Sequence, residues 1–289
     1  MFPQMTMIRR VGLGVATALI AIAGAFSLPA QAARVGVLSN RYFAETAATF
    51  TSNVAGHTFT GVDVSTTTPT LASLQSSFDV VLLFEDGRFP NAPSVGNVVA
   101  AYANAGHPVV LGTFYDQDRS DSGASANGWG ALESIDPNTT DGVGTPYAAR
   151  TLNAGSIVAH ALTAGVTSLT SSQYAGGNRA KPGTTVLALW TQPNALGQPD
   201  PAIALRITGL ACVVHIGIAP DYPQVGPGNF GGDFYTVWKN AFDFGARNCQ
   251  LASTPAFPIP TLSAGALALT ALLLVAVAIA SRRRFARKR

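Results

Sequence analysis

The sequence predicts an α/β domain of three layers, a mostly parallel sheet with helices on both faces. Three observations predict it. Short, almost wholly apolar runs recur at Arg34–Leu38, Asp79–Phe84 and Val109–Phe114, the pattern of strands buried on both sides. The stretches between them carry apolar residues at helical spacing. Proline and glycine stand where those helices would begin and stop.

Taken in order, Arg34–Leu38 is the first strand, and Ser39 and Asn40 are placed to cap the helix that follows. Phe43, Ala47, Phe50 and Val54 supply that helix with one apolar stripe. Thr58–Val64 alternates apolar and polar residues, as a strand near a sheet edge does. Pro69 starts a short helix, and Asp79–Phe84 is the next buried strand. Pro93 leads a helix through Ala105, with Val95, Val98, Val99 and Tyr102 on one face; Gly106-His107-Pro108 ends it before Val109–Phe114. Tyr115–Arg150 and Gln192–Pro201 read as loop-rich. Val186–Trp190, Ala202–Ile207 and Cys212–Ala219 add strands, and a helix from Asp233 to Arg247 closes the layer. Crossovers between parallel strands are right-handed, so the result is a Rossmann-like three-layer domain.

The two cysteines belong to the last two of these elements. Cys212 opens a strand and Cys249 follows the closing helix. A helix packed antiparallel on its preceding strand brings its end back to the start of that strand, so a Cys212–Cys249 disulfide is expected.

Both termini read as transport segments. Arg9-Arg10, the apolar stretch from Val11 to Phe26 and Ala30-Gln31-Ala32 form a secretory signal peptide cut by signal peptidase after Ala32. Near the other end the apolar run 262–280 would reach about 28 Å as a helix, enough to span a bilayer. Six cations among residues 282–289 would hold its end in the cytoplasm and the preceding domain outside. The organisation expected is therefore signal peptide 1–32, α/β domain 33–250, linker 251–258, and a terminal segment 259–289 containing the transmembrane helix 262–280.

Ile259-Pro260-Thr261-Leu262, one apolar span and an arginine cluster together resemble the IPTL-type C-terminal sorting signal of Gram-negative bacteria. Gly265 and Ala266 stand where members often carry Trp-Gly. The resemblance implies that an exosortase-like membrane protease is a partner. It would remove the tail and leave the protein at the cell surface, in the envelope or outside the cell.

The whole-chain charge of +3 misleads, because eight of the eighteen Lys and Arg lie in the two terminal segments. The remaining ten stand against all fifteen Asp and Glu, so the domain carries about −5. A mildly acidic domain lacks the concentrated basic face that nucleic acid requires, and no nucleic-acid partner is expected.

Within the domain, Phe78-Asp79-Val80-Val81-Leu82-Leu83, Gly96-Asn97-Val98-Val99 and Gly112-Thr113-Phe114 look like class I glutamine amidotransferase-like domains, in particular the trehalose-utilisation (ThuA-like) branch. His160-Ala161-Leu162-Thr163-Ala164-Gly165-Val166 is similar to that branch's His-Pro-Leu/Ile-x-x-Gly-Val segment, with Ala161 in place of proline, and Asn240-Ala241 also fits. The resemblance implies the fold rather than the activity. A glutaminase needs a cysteine on the turn after a central strand, and Thr113-Phe114-Tyr115-Asp116 supplies neither cysteine nor serine. His215 occupies a late strand where a triad histidine would stand, without a nucleophile to activate.

Other chemistry is equally sparse. The sequence has no nucleophile elbow, no phosphate loop and no complete dinucleotide fingerprint, and no cofactor is expected. Asp116, Asp118 and Asp121 lack the glycine and distal glutamate of a calcium loop, so no metal is expected either. What remains is topological. Open parallel sheets bind ligands beyond the carboxyl ends of their strands, where strand order reverses. Those ends present Ser39, Asn40, Glu85, Asp86, Tyr115, Asp116 and His215, a set suited to a neutral polar ligand such as a sugar. Three functions fit: a non-catalytic, surface-sorted protein binding carbohydrate or a matrix component; a hydrolase or carbohydrate-modifying enzyme using the strand-end carboxylates; and a structural surface protein.

Overall fold

The computed structural model describes residues 32–87, 91–113, 128–140 and 148–250. Residues 1–31 of the signal peptide, the linker, the sorting signal and the apolar run 262–280 lie outside them. Among the described residues no helix is long and apolar enough to cross a membrane.

The central sheet has seven strands. In chain order they are β1 (Arg34–Ser39), β2 (Thr58–Asp63), β3 (Val80–Leu83), β4 (Val109–Gly112), β9 (Thr185–Leu189), β10 (Pro201–Thr208) and β11 (Ala211–Ile216). In space they run β2-β1-β3-β4-β11-β10-β9. The five from β2 to β11 are parallel, whereas at one edge β10 pairs antiparallel with β11 and β9 antiparallel with β10. The mixed sheet follows from the short connections: Gly209-Leu210 joins β10 to β11, and so tight a turn can only reverse the chain.

Alternation of side chains along the strands builds two cores. Val35, Val37, Val80, Leu82, Val110 and Val214 face α1 (Phe43–Asn53) and the last helix, α4 (Phe234–Ala246), in one cluster with Phe50, Trp238 and Phe242. Leu38, Val81, Leu83, Val109, Leu111 and Val213 face α2 (Leu71–Ser77) and α3 (Ala92–Asn104) on the other side, with Val95, Val99, Tyr102 and Trp129. The three layers are thus those read from the pattern. Glycine permits one contact between them. A Cβ on Gly96 of α3 would lie 1.9 Å from the Trp129 carbonyl oxygen, so only glycine lets this helix sit against the Trp129 turn.

Two elements differ from expectation. Helix α1 starts after Tyr42, which lies in the left-handed region at φ 54° and makes no side-chain cap. Ser39 instead ends β1, and Asn40 lies in the tight connection before the helix, drawn across to the β3 loop. The loop-rich stretches also hold more structure than their composition suggests. A short 3-10 turn, Gly130–Ser134, leads to β5 (Asn138–Thr140), which pairs with β8 (Asn178–Ala180). β6 (Ala148–Thr151), β7 (Leu169–Ala175) and β12 (Phe230–Gly232) form a separate three-stranded sheet.

A buried ion pair fixes this second lobe. Asp200 is fully buried; its carboxylate accepts from Gly177 N at 2.7 Å, Asn178 N at 3.1 Å and Arg150 Nε at 3.2 Å. Burial pushes the Asp200 carboxyl above its usual range, while those amides and Arg150 work against the shift. At the amino ends of the parallel strands, Cys212 and Cys249 are joined in the expected disulfide, with a Cα–Cα distance of 6.4 Å.

Candidate functional site at the carboxyl edge of the sheet

Strand order reverses between β1 and β3: the first connection carries the chain to β2 on one side, and the next returns it to β3 on the other. A crevice at the carboxyl ends of these strands is where such sheets bind ligands. The end of β1 and the loops after β1 and β3 bring Ser39, Asn40, Glu85 and Asp86 to this one place.

Asn40 ties the two loops together. Its Oδ1 accepts from Asp86 N at 2.9 Å, and its Nδ2 donates to the carbonyls of Asp86 and Gly87 at 3.1 and 3.3 Å. Ser39 is buried beneath, and its Oγ accepts from Arg41 N at 3.3 Å. These two residues position the site more than they line it. The clamp sets the direction of Asp86, whose residue is 8% exposed. Asp86 Oδ1 lies 3.5 Å from the hydroxyl of Tyr222, and Oδ2 lies 3.8 Å from a guanidinium nitrogen of the exposed Arg41. Burial raises the Asp86 carboxyl above the ordinary aspartate value, with Arg41 and Tyr222 opposing the rise. Glu85, one residue earlier, is fully buried.

Aromatic rings form the wall beside this carboxylate. The half-buried Tyr42 stacks on Tyr222 with centroids 5.2 Å apart and planes 8° from parallel. Tyr222 in turn stacks on Phe84 at 5.6 Å and 18°. The Tyr42 backbone lies in the left-handed region, a conformation that costs about 1–2 kcal/mol for a residue with a Cβ. Neither tyrosine was singled out by sequence reasoning. Tyr42 reads as a helix-start residue, and Tyr222 lies in a Pro- and Gly-containing stretch after β11 with no periodicity to place it.

His215 lies elsewhere on the same edge. It is fully buried on β11, level with Leu111 of β4, which is itself level with Leu83 of β3. Its Nδ1 lies 2.8 Å from Asn138 Nδ2, a partner supplied by β5 that no sequence signal indicated. Tyr115 and Asp116, with Asp118 and Asp121, fall outside the described residues. Among the described residues no group of three or more His, Cys, Asp or Glu side chains is placed to hold a metal ion.

No family model matches the chain, and no curated protein matches it. Solved structures do. Cytoplasmic Protein STM3548 from Salmonella typhimurium is 10% identical, with 73% of this chain and 98% of that one covered and a TM-score of 0.52. Cytoplasmic Protein STM1381 from Salmonella typhimurium LT2 is 12% identical, with 74% and 98% covered and a TM-score of 0.51. At such identity the likeness shows a shared α/β fold and nothing of ligand or location.

Proposed function

We propose that the chain is an exported, surface-sorted, non-catalytic α/β protein that binds a neutral polar ligand of carbohydrate type at the β1/β3 edge. One observation carries the reading: a carboxylate held by a clamp beside a stack of aromatic rings, at the strand-order reversal. A sugar offers hydroxyls to the carboxylate and an apolar face to a ring, and this wall supplies both. The amidotransferase-like resemblance fits a scaffold that has kept its edge and lacks the nucleophile. Export is supported by the Cys212–Cys249 disulfide, which suits an oxidising space. In this reading signal peptidase removes residues 1–32, and the run 262–280 holds the protein in the membrane until an exosortase-like protease acts.

The test is a thermal-shift screen of the full chain, purified oxidised in detergent, against neutral sugars, matrix polysaccharide fragments, amino acids and divalent metals. A ligand at a hundred times its dissociation constant adds about 2.7 kcal/mol. That is a rise of about 5 °C or more for a domain of this size. Asp86→Asn should abolish the shift, and a panel without any response would overturn the reading.

The raised Asp86 carboxyl beside the Tyr222 hydroxyl favours one second reading, a hydrolase or carbohydrate-modifying enzyme in which Asp86 is a general acid or base. Turnover of the stabilising ligand, lost in Asp86→Asn, would decide for it.

A further inference from the structure

A second set of polar side chains is buried behind the first, around residues 215–218. In the β5–β8 ribbon Asn138 pairs with Ala180 and Thr140 with Asn178. Residues directly paired, and residues two apart on one strand, project from the same face. Asn138 and Asn178 therefore share a face, and the contact of Asn138 with His215 shows that this face looks onto β11.

The backbone of Asn178 is fixed on both sides. Its N–H donates to Asp200 Oδ1 at 3.1 Å, and its carbonyl accepts from Asn194 Nδ2 at 3.1 Å. Its side-chain amide is fully buried, yet neither Oδ1 nor Nδ2 has a hydrogen-bond partner among the described residues. Thr113, at the end of β4, repeats the pattern: it is fully buried, and its Oγ1 is likewise without a partner among the described residues. Both residues flank the same stretch. Thr113 N donates to Ile218 O at 3.3 Å, and Gly176 N, two residues before Asn178, donates to Gly217 O at 2.9 Å.

A buried amide and hydroxyl left without partners cost free energy, and native proteins rarely keep them without use. Around them stand a second amide, Asn138, and the His215 imidazole. Thr113, Asn138, Asn178 and His215 bring only neutral donors and acceptors, and the charges nearest Asn178, Asp200 and Arg150, are paired with each other, so the four suit hydroxyls better than an ion. We infer that Thr113, Asn138, Asn178 and His215 form an inner subsite for a neutral, hydroxyl-bearing group. Thr113 follows β4, next to β3, and His215 lies one strand further on. By the alternation of their strands Thr113 and His215 fall on the α2–α3 side with Leu111 and Val213, whereas Phe84 and Tyr222 beside Asp86 belong to the α1–α4 cluster. The two sites therefore lie at least one strand spacing of about 4.8 Å apart, on either side of the sheet's carboxyl edge. One ligand larger than a single sugar ring spans them. The inference rests on the carbohydrate reading above and specifies it: a neutral oligosaccharide with its terminal ring inside.

The experiment uses the full, oxidised chain with cellobiose, maltose and sucrose as neutral disaccharide probes, glucose as a neutral monosaccharide, and glucosamine and glucuronate as charged ones. Binding is read by calorimetry on wild type, Thr113→Val, Asn178→Leu and Asp86→Asn. We expect a neutral disaccharide to bind and both charged sugars to fail. Loss of one neutral hydrogen bond should weaken binding about two- to tenfold in Thr113→Val. Asn178→Leu, which loses two groups and adds bulk, should bind still less. Should Asn178→Leu not fold, the nearly isosteric Thr113→Val decides. Unchanged binding in Thr113→Val and Asn178→Leu, with binding lost in Asp86→Asn, would overturn the inner subsite and leave the outer one standing. A wild type that binds none of the three disaccharides, while a monosaccharide does, would also overturn it. Absence of all sugar binding would overturn both.

Discussion

Reducing the Cys212–Cys249 bond should weaken the fold by a calculable amount. The bond joins residues 37 apart in sequence. For a loop of that length the entropy withheld from the unfolded chain is worth about 4 kcal/mol at 25 °C. Part of this is offset in the folded state. Asn248 and Cys249 both lie in the left-handed region, at φ 51° and 57°. Once Cys249 is free, the chain after α4 can leave that conformation, which recovers about 1 kcal/mol. The net loss should then be about 2–4 kcal/mol, or a fall in melting temperature of about 5–15 °C for a domain this large. Urea unfolding with and without reductant provides the assay, followed by tryptophan fluorescence, since Trp129, Trp190 and Trp238 are all buried. Cys212→Ala controls for side effects of the reductant and should reproduce the reduced protein. A difference below about 1 kcal/mol between oxidised and reduced chains would refute the loop-entropy reasoning.

Gly96→Ala should destabilise by about 1–3 kcal/mol, although alanine is the better helix former by about 1 kcal/mol, because the new methyl meets the Trp129 backbone; calorimetric melting measures it. Asp86 should give a pH signature in the ligand-free protein. Its folded-state carboxyl is raised, so the neutral form is the better tolerated, and the penalty for its charge is relieved as pH falls from the raised value toward 3.8. Asp86→Asn should remove that part of the stability–pH curve and be no less stable than wild type at pH 7, while losing the ligand; a less stable, binding-competent Asp86→Asn would contradict the assignment.

The layers were legible because β1, β3 and β4 are buried on both faces, and a strand so placed must be apolar throughout. β2 was legible as an edge strand for the opposite reason, its alternating exposure. Hairpin β10–β11 was visible as two strands, but their antiparallel direction depends on a two-residue turn that composition alone does not orient. Strands β5, β6 and β8 were missed because they are three or four residues long and held by tertiary bonds such as Arg150–Asp200 rather than by an apolar face, and β7, seven residues long, because it is mostly Ser, Thr and Gln. At the candidate site the rule of strand-order reversal led to Asn40, Glu85 and Asp86. It could not reveal that Asn40 would be used as a clamp, since that depends on a loop 46 residues away. Tyr42, Tyr222, Asn138 and Asn178 came from outside the strands that the rule considers.

The disulfide also determines how the domain would carry a load. Tension applied to the chain beyond residue 250 reaches Cys249 first and passes directly to Cys212 at the start of β11. That strand is hydrogen-bonded on both sides, to β4 and to β10. The pull therefore enters the middle of the sheet, where many bonds must shear together, and bypasses α4, which could otherwise be peeled away one turn at a time. Any strain enters at the amino ends of the parallel strands, at the opposite end from Asp86 and Tyr42. A protein tethered by its C-terminal side could be tugged without distorting the edge at which it would meet its ligand.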